Sequence, residues 1–378
     1  FPMTEKTYKI TTGNLTVKVT KGAERLPDFI DVAQRKNPKR PFLFVSKVLG
    51  RHIPVKPSVM AQTYDELADG IVANLTGPIA VVGMAETAVG LGAGVHQALL
   101  DRGCESVYLS STRHPMDSPI FCEFKEEHSH AMSHYLHEPV DEKAKQNFIH
   151  ASTLVLVDDE ATTGNTFANL AKALAEAGLQ DLISLVAVTL VDWSQGALLE
   201  KLKTNEVTKQ WQVHSHALIE GSWEWQAAEG VAPLALPNDV QAIQKTADIL
   251  FSGKSCRAGL VESTPFKTCP TIKPGEKVLV LGSGEFVWQP YLLAKQLEAA
   301  GHDVHFSATS RSPVTDGYAM KHSLAFHDNY GENFAMYAYN IDVQAYDRIL
   351  ICSETAAQAW DKRLLSTLTQ AEVVEYDV

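Results

Sequence analysis

Cysteine is scarce in this chain. There are five in 378 residues, at Cys104, Cys122, Cys256, Cys269 and Cys352, an odd number with no Cys-x-x-Cys pair. That excludes a disulfide scaffold and reads as reduced thiols in a cytoplasmic protein. Basic charge is also short: 33 Lys and Arg stand against 45 Asp and Glu, a net charge of −12. A nucleic-acid surface needs a basic face, so no nucleic-acid partner is expected. No apolar run is long enough to span a bilayer and no signal-peptide pattern opens the chain, so no membrane partner is expected either. Aromatic residues are few, at 8%, while apolar residues reach 45%. That balance suits an ordinary α/β protein with room for two or three cores. Phe1 and Pro2 read as an addition ahead of Met3 and are set aside.

What is present is concentrated in one stretch. Leu154-Val155-Leu156-Val157 reads as a short buried strand ending in Asp158-Asp159. Glu160-Ala161-Thr162-Thr163-Gly164-Asn165-Thr166 follows, and then a helix with Phe167, Leu170, Ala171 and Leu174 at helical spacing. A loop between a strand's carboxyl end and a helix's amino end offers unpaired N–H groups and the positive end of the helix dipole, which together cradle phosphate. Thr162, Thr163 and Thr166 add hydroxyl donors, and Gly164 lets the backbone close around an anion. Two adjacent carboxylates suit a pair of hydroxyls, from which they accept hydrogen bonds. Phosphate beside a vicinal diol describes a ribose 5-phosphate.

On these residues the chain resembles the type I phosphoribosyltransferases. Val157 to Thr166 matches their 5-phosphoribosyl-1-pyrophosphate (PRPP) signature with no departure at its defining positions. The resemblance implies an α/β fold, a parallel sheet flanked by helices and topped by a hood that grips the acceptor. It implies Mg²⁺-dependent transfer from PRPP to a base-like, orotate-like or purine acceptor, with release of pyrophosphate, in nucleotide or specialised nucleoside metabolism. Asp158 and Asp159 would hold the ribose hydroxyls, with Mg²⁺ nearby through water. Ala161, Thr162, Thr163, Gly164, Asn165 and Thr166 would hold the 5′-phosphate. The strand Ile79 to Val82 leads into Gly83-Met84-Ala85-Glu86-Thr87-Ala88, which by the same resemblance is the pyrophosphate loop, with the peptides of Met84, Ala85, Glu86, Thr87 and Ala88 facing the leaving group. The family often places a non-proline cis bond there. Arg113, just beyond the strand Ser106 to Ser110, would neutralise pyrophosphate. A homodimer fits the family, and so does the other reading of the fold, a PRPP-sensing regulator without turnover.

Elsewhere the residues leave alternatives open. The cations around the apolar segment 42–45 could line a pocket for an anionic substrate, with Lys47, Arg51 and His52 as acceptor contacts, or form a solvated rim. Trp223 and Trp225 could stack on a base or pack in the core. Residues 121–137 sit where the family carries its flexible lid, and Lys125, Glu127, His128 and His130 supply acid and base groups for it. His130 and His134 also have the i,i+4 spacing of a zinc pair on a helix, and a plain helix surface is the third reading.

The expected organisation is a phosphoribosyltransferase domain over residues 4–262, a proline-bearing linker over 263–275 and a second α/β unit over 276–378. The second unit runs as a strand Val278 to Leu281, Gly282-Ser283-Gly284-Glu285, a helix to Ala300, a strand to Phe306, and Thr309-Ser310-Arg311-Ser312-Pro313. It resembles the domain named for a Thr-Arg-Ser-Pro motif, here with Ser310 for threonine. In a bacterial family found beside tellurite-resistance and stress genes, that domain follows a phosphoribosyltransferase. Thr309, Ser310, Arg311 and Ser312 are candidates for a second anion site or for docking a pathway partner. Self-comparison places Gly83 and Glu86 against Gly282 and Glu285, and Gly103, Arg113 and Pro115 against Gly301, Arg311 and Pro313. It also places His128, Ser129 and Glu160 against His322, Ser323 and Glu354. The second unit therefore reads as a degenerate copy of the first, with Cys352-Ser353 where the first has its aspartates.

Overall fold

The computed structural model describes residues 4–116, 118–125, 133–232, 234 and 264–376. Strands β1 (Thr4–Ile10) and β2 (Gly13–Lys21) form an antiparallel hairpin. Helix α1 (Leu26–Phe29) and a second hairpin, β3 (Ile30–Gln34) with β4 (Phe42–Ser46), build the hood. The core then alternates strand and helix: α2 (Pro57–Ile71), β5 (Ile79–Gly83), α3 (Val89–Asp101) and β6 (Ser106–Ser110). A hairpin of β7 (Ile120–Lys125) and β8 (Ser133–His137) interrupts it. After that come α4 (Glu142–Ile149), β9 (Thr153–Ala161), α5 (Asn165–Ala177), β10 (Ser184–Asp192), α6 (Ala197–Thr204) and β11 (Gln212–Ala227).

Seven strands form one sheet in the order β1-β2-β11-β10-β9-β5-β6. The segment from β11 to β6 is parallel, and its central strands are apolar along their length because helices cover both faces. Every residue of β10 is buried, as are Thr153 to Val157 of β9. All strands of this parallel block point their carboxyl ends to one edge, where open α/β sheets bind ligands. Among the described residues no helix is long and apolar enough to cross a membrane.

The second domain comprises β12 (Lys277–Gly282), α7 (Trp288–Ala299), β13 (Asp303–Ala308), β14 (Ser323–His327), β15 (Ala335–Tyr339), β16 (Arg348–Ser353), α8 (Lys362–Thr367) and β17 (Ala371–Glu375). Its sheet order is β13-β12-β16-β17, all parallel. The first domain contains the same arrangement, β6-β5-β9-β10, with a helix crossing between the first two strands of each. Each copy also carries an antiparallel hairpin after its third element. Thr112 bridges Tyr135 in one, and Ser310 bridges Tyr337 in the other.

Register corrects part of the sequence comparison. Val82 pairs with Leu156, and its counterpart Leu281 pairs with Ile351. Asp158 therefore corresponds to Ser353 and Asp159 to Glu354, one place away from the alignment of Glu160 with Glu354. Ser323 begins β14 as Ile120 begins β7. His128 and Ser129 lie outside the described residues.

The two domains share one continuous hydrophobic core that includes Val55, Tyr64, Tyr291 and Phe306. Val55 and Phe306 exchange backbone hydrogen bonds of 3.0 and 2.8 Å. Arg51, only 4% exposed, pins the seam. Its Nη1 donates to the carbonyls of Gly284 and Thr309, each at 2.6 Å, and to Glu86 Oε1 at 3.2 Å, while Nη2 donates to the Glu86 carbonyl.

Candidate active site

A cavity of about 610 Å³ opens at the carboxyl edge of the main sheet, under the hood. Strand β9 delivers Asp158, Asp159 and Glu160 to its floor. The Asp159 N–H donates to Asp158 Oδ1 at 2.8 Å, and Thr87 Oγ1 donates to Asp159 Oδ1 at 3.1 Å. Burial, and then the neighbouring Asp159, push the Asp158 carboxyl well above the usual carboxylate range. Glu160 is raised by burial too, although Arg40 pairs with it at 3.1 Å and opposes the shift. A floor of close carboxylates favours a bound cation or hydroxyl donors. Among the described residues no three His, Cys, Asp or Glu side chains converge to cage a metal ion. Two adjacent carboxylates are oxygen donors of the kind that suit a hard divalent cation.

Past Ala161 the chain turns through Gly164 into α5. Gly164 has φ +81°, and a Cβ there would lie 2.9 Å from the Cα of Leu198, so only glycine seats this turn without strain. Thr162 and Thr166 line the cavity. Thr163 Oγ1 instead accepts from the Asn165 N–H, and Asn165 Oδ1 is taken by Lys201. The backbone N–H groups of the first turn of α5 point out of the helix end, as in any helix start.

Beside this floor the loop between β5 and α3 supplies Met84, Ala85, Glu86 and Thr87 to the wall. Its Ala85–Glu86 peptide bond is cis. Ala88 lies behind, buried at the start of α3. Ser111 Oγ accepts from the Ala85 N–H at 2.8 Å, tying the loop to the end of β6. Arg113 follows in the same wall.

Several expectations are corrected. Arg51 lines the cavity, but its donors are spent on the domain seam, which makes it structural before it is an acceptor contact. His52 also lines the cavity and packs on Tyr339, and burial followed by Arg51 depresses its pKa to about 3. Lys47 turns away to the Pro27 carbonyl. Of the two readings open for Trp223 and Trp225, packing is the one seen: their rings lie 4.9 and 5.3 Å from that of Phe42, outside the cavity, because β11 continues past its parallel stretch to pair with β2. Thr309 is fully buried, its Oγ1 accepting from the Gly284 N–H, so only Ser310, Arg311 and Ser312 of that segment reach the cavity. His134 sits on strand β8, stacked on Phe124 at 4.9 Å, which removes the helical His130/His134 pairing. Lys125 ends β7, exposed and apart from the cavity. Glu127, His128 and His130 lie outside the described residues.

The structure also brings to the cavity residues that the sequence reading did not name one by one. Phe44 and Trp193 stack at 4.6 Å with 22° between planes and face the cavity together. Arg35 and Arg40 stand beside them, and burial followed by Arg40 lowers the Arg35 pKa to about 10. Trp193 directly follows the carboxyl end of β10, a position that strand polarity alone marks for the ligand edge.

A family model described as phosphoribosyl transferase matches residues 29–222, and a model of the TRSP domain that lies C-terminal to it matches residues 261–370. No curated protein matches the sequence significantly. Among solved structures, the chain is similar to adenine phosphoribosyltransferase from Trypanosoma brucei, in complex with AMP, pyrophosphate and ribose-5-phosphate. The identity is 14%, over 50% of this chain and 76% of that one, at a TM-score of 0.35. Adenine phosphoribosyltransferase from Leishmania donovani is 14% identical over 52% and 78%, at 0.36. Orotate phosphoribosyltransferase from Francisella tularensis is 13% identical over 51% and 80%, at 0.31.

Proposed function

The chain belongs to the phosphoribosyltransferase family, with a TRSP domain as its C-terminal part, and from that membership we propose that it transfers a phosphoribosyl group from PRPP to a ring nitrogen, releasing pyrophosphate. One observation carries the reading: paired carboxylates and the α5 helix start share a single cavity with Arg113 and the 84–87 loop. The ribose hydroxyls would donate to Asp158 and Asp159, and the 5′-phosphate would take the N–H groups and hydroxyls of 161–166. Mg²⁺ near Asp158 and Asp159 would neutralise charge on the pyrophosphate and ribose oxygens. As the acceptor attacks C1 and the bond to pyrophosphate breaks, Arg113 and the loop peptides hold the growing negative charge. The hood keeps water from C1.

The acceptor would lie on the Phe44–Trp193 platform. Among the described residues, Arg40 Nε and Nη2 are buried with no hydrogen-bond partner. Donors of that kind favour a flat ring that carries an acidic substituent over a neutral one. The decisive experiment replaces Asp158 and Asp159 with Asn together. Pyrophosphate release, screened over acidic and neutral ring acceptors with PRPP and Mg²⁺, should fall by at least about 10³-fold. Unchanged release would reject the assignment. PRPP binding with no release for any acceptor would favour a PRPP sensor on the same fold.

A further inference from the structure

Ser310, Arg311 and Ser312 belong to the second domain yet line the cavity of the first. Arg311 holds the position in its own copy that Arg113 holds in the other. Each directly follows the residue that bridges to the hairpin tyrosine, Thr112 to Tyr135 and Ser310 to Tyr337. Internal symmetry thus brings two equivalent arginines to one cavity.

The nearby carboxylates each hold another group, although among the described residues Glu332 Oε2 is buried without a partner of its own. Glu86 pairs with Arg51. Glu285 accepts from Thr112 Oγ1 at 2.6 Å and from the Arg113 N–H at 3.0 Å. Glu332 accepts from His114 Nδ1 at 2.6 Å. Among the described residues, Arg113 Nε and Arg311 Nη1 are buried with no hydrogen-bond partner. The Arg311 guanidinium lies 4.2 Å from the centre of the Phe334 ring, which fixes its plane. Two cations lining one cavity with unspent donors favour an anion there, which would relieve their repulsion and their lost hydration.

Where the first copy leaves its carboxylates open to a cavity, the second fills the place with side chains. Tyr330 donates its O–H to Glu354 at 2.5 Å, Asn329 Nδ2 donates to Thr355 Oγ1 at 2.8 Å, and Trp360 Nε1 donates to Ser353 Oγ at 2.9 Å.

We propose that the C-terminal domain contributes Arg311 to the first domain's cavity, where Arg311 and Arg113 together clamp a diphosphate. The proposal rests on the phosphoribosyl reading and goes beyond it in giving the domain a ligand contact. The test titrates the full chain calorimetrically with Mg²⁺–pyrophosphate and, separately, with ribose 5-phosphate. Arg311→Ala should weaken pyrophosphate by about 10- to 100-fold and leave ribose 5-phosphate unchanged. Arg311→Lys, which keeps the charge and much of the stem, should recover part of the loss. Unchanged pyrophosphate affinity in Arg311→Ala, or equal loss of both ligands in both variants, would overturn the clamp and leave the phosphoribosyl reading in place. A wild-type chain that binds neither ligand would remove both.

Discussion

At the scale of single residues, the seam between the domains depends most on Arg51. Its guanidinium serves one carboxylate and three backbone carbonyls drawn from both copies. Burial lowers its pKa, with Glu86 and Glu285 the largest opposing influences. Removing such a group leaves the buried Glu86 side chain without its partner in a dry seam. Arg51→Ala should therefore destabilise the chain by about 3–5 kcal/mol, read as a lower urea midpoint at unchanged pH, and a shift under 1 kcal/mol would contradict this role. Arg51 illustrates what sequence reading misses at this scale. Its neighbourhood was visible as a cationic stretch, but pairing depends on partners 35, 233 and 258 positions away. Asp158 and Asp159 were legible because their chemistry is local: strand, acids, loop and helix follow one another without a break.

At the scale of elements, the strand–helix order of the parallel core was legible from apolar runs and turn residues. Helix α2 begins at Pro57, which occupies the first helical turn, where a missing N–H costs nothing. The expected histidine helix misled because Phe124 and His134 pair across a two-stranded hairpin, a pairing that local spacing does not reveal. The α3–β6 seam carries a measurable pH response. His96 is buried on α3, shares a 2.7 Å hydrogen bond with Ser106 Oγ on β6, and burial depresses its pKa to about 4. The unfolded chain protonates this histidine near its ordinary value of 6.5. Its contribution is therefore complete above pH 6.5, declines below that and is lost as pH falls through about 4. The loss is on the order of 3 kcal/mol. His96→Gln should flatten the fall in Tm across this window, and an identical pH profile would rule out His96 as the source.

At the scale of the whole molecule, the repeated order β6-β5-β9-β10 and β13-β12-β16-β17 was only partly legible. Glycine, arginine and proline positions signalled the duplication. Register exposed an error of one place, since strand pairing, not residue identity, decides which carboxylate stands opposite which. The domains share a core without a gap, with Tyr64 lying 5.5 Å from Tyr291 across the seam. Such a seam couples unfolding of the two halves. Calorimetry should show one transition with matching calorimetric and van't Hoff enthalpies, and two resolved transitions would mean that the halves melt separately.

A symmetric pair of identical chains must accept every substitution twice, once where it helps and once where it harms. Joining unlike copies in one polypeptide lifts that constraint. Arg113 and Arg311 can be altered independently, and the half with the filled pocket is at liberty to change its interior wherever the shared wall is left alone.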